Sequence, residues 1–194
     1  MAGLAFRRKR ATRLILAVAV VSVLVVGGGT AAATVIFQDH YSGTYDFTTD
    51  ECGYDLDVTS EFHGQVVLRV EKGGQAFLVK DKFWYRDVVT NPATGKHFVQ
   101  YGNGLFHDIK ATLVEGTVWE FVSVEAGQPF TIEDSDGNVI VRDRGVIRHT
   151  ILFDTLGDGQ PGGIFLGETD AAVHGPHPGF ADGYWCAVAA QLTG

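Results

Sequence analysis

Two imidazoles three positions apart, in His174-Gly175-Pro176-His177-Pro178, are the side chains of this sequence whose type and spacing most invite chemistry. Held on a loop stiffened by proline, they could share a metal, and an unperturbed imidazole titrates near pH 6.5. Zinc needs a third and usually a fourth ligand. Asp170, Asp182 and His149 are the residues a fold could bring to them. Such a set would suit a metal-dependent hydrolase. The competing reading is a surface loop shaped by its Pro and Gly residues.

Other chemical motifs fail when their spacing is checked. With Gly159 at the sixth position of a calcium loop, Asp154 and Asp158 fit, but Leu156 replaces the third ligand and Phe165 the terminal Glu. Asp134-Ser135-Asp136-Gly137 reads as a hairpin turn, because Ile132 would stand at the first ligand position. There is no G-x-S-x-G, no dinucleotide glycine pattern and no phosphate loop. Ser42, Ser60, Ser123 and Ser135 lie in strand or turn contexts. No cofactor is expected, and binding is a better expectation than catalysis.

Aromatic clusters carry the binding reading. Phe83-Trp84-Tyr85 and Tyr184-Trp185 are runs in which strand geometry would point neighbouring rings to opposite faces, leaving at least one at a rim. Trp84, Tyr85, Tyr184 and Trp185 are therefore the candidate ligand-binding residues, for a small apolar molecule or a cell-envelope partner; the interior of a β-barrel is the other place a ligand could sit, and a structural role at the cell surface is the remaining alternative.

The elements that must position these residues follow from charge, hydropathy and turn chemistry. Arg7, Arg8, Lys9, Arg10 and Arg13 supply all the charge of the first 13 residues, so a net charge of −8 for the 194-residue chain leaves −13 on the remainder. Such an acidic domain repels phosphate backbones, which argues against a nucleic-acid partner. No charged residue lies between Leu14 and Phe37. Ala31-Ala32-Ala33 closes the apolar run as a signal-peptidase site would, predicting cleavage after Ala33. Uncleaved, the 24 residues Leu14 to Phe37 would make a helix of about 36 Å, enough to anchor the chain in a membrane. Either way residues 1–37 form a signal peptide or single transmembrane anchor, and residues 38–194 a domain secreted or held on the outer face of the cytoplasmic membrane.

In that compartment two cysteines read as a disulfide, Cys52 to Cys186, fastening the first strand to the last. From Tyr41 onward alternation is the dominant pattern: Tyr54, Leu56, Val58 and Phe62 point one way, and Asp55, Asp57, Thr59 and Glu61 the other. Glycine-bearing segments such as His63-Gly64, Lys72-Gly73-Gly74, Asn91 to Gly95, Gly102-Asn103-Gly104 and Glu125-Ala126-Gly127 read as turns, giving eight to eleven strands. The expected fold is all-β: an antiparallel meander closing into an up-and-down, lipocalin-like barrel, or a β-sandwich, preceded by an N-terminal hydrophobic helix.

Three short segments also carry a resemblance. Asp50-Glu51-Cys52-Gly53-Tyr54, then Thr90-Asn91-Pro92-Ala93-Thr94-Gly95-Lys96, then Trp185-Cys186 resemble a family of secreted bacterial all-β proteins closed by one disulfide between the two ends of the domain. The resemblance spans nearly all of the exported region and implies a disulfide-closed β domain, with no catalytic residue carried over.

Overall fold

A computed structural model describes residues 34–71, 74–180 and 183–194. The predicted signal peptide or anchor lies outside the described residues up to position 33, while Val35, Ile36 and Phe37, the end of the apolar run, open the first strand. Among the described residues no helix is long and apolar enough to cross a membrane.

Seven antiparallel strands follow one another in a single sheet: β1 (Val35–Thr49), β2 (Leu56–Val70), β3 (Phe77–Thr90), β4 (His97–Glu115), β5 (Val118–Glu133), β6 (Val139–Asp154) and β7 (Ile164–His174). Each pairs with its neighbours in sequence, and β1 does not pair with β7. The meander is as expected, but it neither closes into a barrel nor stacks on a second sheet among the described residues. One face is covered instead by a short helix, α1 (Tyr184–Thr193), which follows a 3-10 turn at Pro178–Phe180.

The count is seven rather than eight to eleven because several glycines read as turns lie inside strands. His63-Gly64 is within β2, Gly102-Asn103-Gly104 within β4, and Glu125-Ala126-Gly127 within β5. They form a line across the sheet: Tyr41, Gly64, Phe83, Gly104, Gly127 and Gly145 stand opposite one another in successive strands. Opposed residues point to the same face, so this row lacks side chains except for the rings of Tyr41 and Phe83. A Cβ at Gly104 would lie 2.9 Å from both the Phe83 ring and the Ala126 carbonyl oxygen. Gly127 has φ 137°, a conformation that L side chains rarely adopt, and its Cβ would fall 2.7 Å from the Asn103 carbonyl. Register shifts flank the row between Tyr101 and Asn103 and between Gly127 and Phe130. Glycines and bulges curve a sheet where they occur, and here they share one line.

That line separates two hydrophobic cores. On one side Leu56, Val58, Val89, Phe98, Ile132 and Val141 pack against Val188 and Ala189 of α1. On the other, Ala76, Trp119 and Phe121 cluster with Ile151 and Phe153, with no helix above them among the described residues.

A ten-residue helix is marginal alone, and α1 is tied down along its length. Cys186 forms the predicted disulfide with Cys52, across 134 residues of sequence. The bridge joins the β1–β2 connection to the helix rather than first strand to last. The Trp185 Nε1–H donates to Gln100 Oε1 at 2.7 Å. At the C-terminal end, Asn91 Nδ2 and Thr94 Oγ1 of the β3–β4 turn donate to the Thr193 carbonyl at 3.1 and 2.7 Å. These bonds satisfy a carbonyl that a helix end leaves open.

Replacing Gly127 by Ala is expected to cost about 2 to 3 kcal/mol, whereas Gly53→Ala, at φ 81° with nothing within 4 Å, should cost about 1 kcal/mol. Urea midpoints at unchanged m-value measure both. The double variant Cys52→Ser/Cys186→Ser should lose about 4 to 5 kcal/mol by chain entropy, seen in the same titration against the oxidised protein.

Candidate functional site

Strand alternation decides which predicted residues face which way. Trp84 opposes His63 and Asn103 on the outer face, and its indole stacks on the His63 imidazole with centroids 4.6 Å apart. Together with His40, Ser42 and Lys82 they border an open hollow of about 470 Å³. Tyr85 points to the opposite face, where its hydroxyl donates to the Pro129 carbonyl at 2.9 Å, and burial pushes that phenol well above its ordinary pKa. Tyr184 and Trp185 belong to α1, not to a strand, and pack against the core beneath it. The rings of Tyr85, Tyr184 and Trp185 are thus taken up by packing.

The two loop histidines also part company. His174 ends β7 at the surface, while the His177 side chain is 2% exposed and lies 3.9 Å from Asp143 Oδ2. Asp143 accepts the Gly179 amide at 3.1 Å, and Arg144 donates its amide to the Pro176 carbonyl at 3.0 Å, so the loop folds back along β6. His149 is engaged with Glu168 at 2.6 Å. Asp182 lies outside the described residues. Among the described residues no three His, Cys, Asp or Glu side chains gather as a metal site would require. Burial beside Asp143 thus sets His177 apart from the exposed His174.

An interior ligand site is expected from the sequence without its residues, and a hollow of that kind lies on the inner face of the lobe that α1 does not cover. Leu68 of β2 and the paired Val79 of β3, with Phe77, form one wall of a cavity of about 270 Å³. Phe106 of β4 and Phe121 of β5 form its floor, and Ile151 and Phe153 of β6 the opposite wall. Pro161 and Gly162, from the glycine-rich segment tested above as a calcium loop, border it from the β6–β7 connection. That connection is anchored where the Thr155 amide and hydroxyl both donate to the Thr117 carbonyl, at 2.9 and 3.1 Å.

One ionisable group faces this apolar space. Asp108 is 6% exposed. Its Oδ1 accepts the Ser123 hydroxyl at 2.5 Å and its Oδ2 the Val79 amide at 2.8 Å. Burial pushes its carboxyl above the ordinary value, against the pull of those two donors and of His107. Compared with known proteins, the chain matches no family model, no curated protein and no solved structure.

Asp108 has company along the inner face. Asp81 accepts the Tyr41 hydroxyl at 3.0 Å and Asp87 the Ser60 hydroxyl at 2.7 Å. Burial raises the carboxyl pKa of both, and of Glu125 and Asp143. The Tyr41 phenol, buried and bonded to Asp81, is pushed up to about 12. The surface Asp134 is shifted the other way by the Asn138 side chain and turn amides.

A carboxyl with a raised folded pKa binds more protons folded than unfolded, so its contribution to stability falls as pH rises from the ordinary value through the folded one. With five such groups, the melting temperature should be higher at about pH 5 than at about pH 8. Asp87→Asn should narrow that difference. Below the ordinary carboxylate range the trend should reverse as Asp134 is protonated. Differential scanning calorimetry across this range gives the sign.

Proposed function

We propose that this chain is an extracytoplasmic binding domain that holds a small apolar molecule in the cavity of its helix-free lobe. The supporting observation is the contrast between the lobes: the apolar inner face of one is packed by α1, and the equivalent face of the other lines a half-open apolar cavity. A space walled by aliphatic and aromatic side chains with one placed polar group has the character of a ligand pocket. Catalysis has less to work with, since the one hydroxyl bonded to Asp108, that of Ser123, does not itself line the cavity, and no metal set gathers among the described residues.

Placement outside the cytoplasm is supported by the basic-then-apolar N-terminal segment and by the disulfide, which persists in oxidising compartments. The start of β1 at Val35 agrees with cleavage after Ala33, which would leave the sheet whole. A membrane anchor ending by the same point would leave it equally whole.

A second reading, a protein partner of the cell envelope, is favoured by the sheet's open edges. Tyr45 and Phe47 of β1 stack with centroids 5.4 Å apart and are 49% and 42% exposed. Unpaired strand edges with such residues can accept another strand.

Toluene, neutral and apolar, is the discriminating probe. Titrated into the oxidised protein, it should shift the amide resonances of Leu68, Val79 and Ile151. Val79→Phe or Ile151→Phe, each filling the cavity, should weaken binding by about tenfold or more with the circular dichroism spectrum unchanged. Shifts confined to β1 would favour the second reading, and no shift at all would refute the cavity as a ligand site.

A further inference from the structure

We infer that the cavity selects a small apolar amine, whose ammonium group pairs with Asp108 while its hydrocarbon body fills the space between the phenylalanine rings. The inference rests on reading the cavity as a ligand site, and goes further in naming the chemistry of the occupant.

Four observations carry it. First, Asp108 lines the cavity and is 6% exposed, yet among the described residues no Lys, Arg or His forms an ion pair with it. His107, the nearest basic side chain in sequence, points to the other face by strand alternation. A buried carboxylate without a cation carries a desolvation cost that a bound cation offsets.

Second, the protein already supplies this carboxyl with two donors, one to each oxygen: the Ser123 hydroxyl and the Val79 amide. Two donors with no acceptor opposite orient the group to receive rather than to give a hydrogen bond. A ligand that donates, and above all one that is positively charged, completes that arrangement. A ligand carboxylate would repel it.

Third, the rest of the wall excludes polar bodies and suits a cation. Phe106, Phe121 and Phe153 line the same space, and ring faces attract an ammonium by about 0.5 to 2 kcal/mol when water is excluded. The field of the domain acts in the same direction, since the residues after position 13 carry a net −13 and raise the local concentration of cations.

Fourth, size bounds the ligand. A dry cavity of about 150 Å³ takes one benzene, so about 270 Å³ has room for a single aromatic ring with a short chain, or an alkyl chain of similar bulk. Polyamines and extended lipids are too long or too polar for it.

The test is calorimetric titration of the oxidised full chain with three matched probes: 2-phenylethylamine, 2-phenylethanol and 3-phenylpropionate, at neutral pH. The amine should bind about tenfold or more tightly than the alcohol, and the carboxylate weakest. Asp108→Asn should bring the amine down to the affinity of the alcohol while leaving the alcohol's own affinity little changed. Equal binding of amine and alcohol by the native protein, or an amine preference that survives Asp108→Asn, overturns the inference and leaves the apolar site standing. Failure of all three probes, together with toluene, removes the site itself. Should Asp108→Asn not fold, the native protein's ranking of the three probes decides alone.

Discussion

An apolar sheet face must be covered, and in this protein a helix too short to be stable alone covers half of it. α1 buries Val188 and Ala189 against Leu56, Val58, Val89 and Phe98, and its position is enforced by the bridge to Cys52, the indole bond to Gln100 and the cap from the β3–β4 turn. Where this helix lies decides which of the two clusters it covers. Among the described residues no helix descends on Trp119 and Phe121, and the space beside them is the cavity.

The inner face is unusual in how it handles charge. Asp81, Asp87 and Asp108 each receive a hydroxyl, from Tyr41, Ser60 and Ser123, instead of a cation. Hydroxyl donors satisfy oxygen lone pairs without cancelling charge, so burial wins and these acids hold their protons more strongly than exposed ones do. Two of the pairs lie close to packed rings. Of the three, Asp108 is the one that lines the inner-face cavity, which is why its unmatched charge can be read as a recognition element rather than as packing.

Much of the architecture was legible in the residues. Leu56 and Val58 alternate with Asp55 and Asp57, and they are buried where the acids are not. Two cysteines in a chain with an export-like segment leave one pairing. Three segments far apart in sequence meet at one place, since the Cys52 loop, the Asn91 turn and Trp185-Cys186 together hold α1. Gly64, Gly104 and Gly127 were misread because a glycine in a turn and a glycine under a neighbouring ring look alike in one dimension. Only the residue across the ladder tells them apart. Asp108 and Ile109 were hidden for a sharper reason: hydropathy would bury the isoleucine and expose the acid, and the strand does the reverse, with Ile109 50% exposed. Local rules tend to break where a site is built.

A closed barrel has its radius set by strand number and stagger, so its interior is a fixed quantity once the pairing is complete. This sheet is never closed, and its two edges are joined by no ladder. Its interior width is instead a matter of how sharply seven strands coil at the line from Tyr41 to Gly145. The row from Gly64 through Gly104 to Gly127 lies several residues along each strand from the cavity lining, so the curvature it sets bears on the width of that cavity. Evolution could widen or narrow what this scaffold admits by acting on curvature alone, leaving every wall residue of the cavity in place.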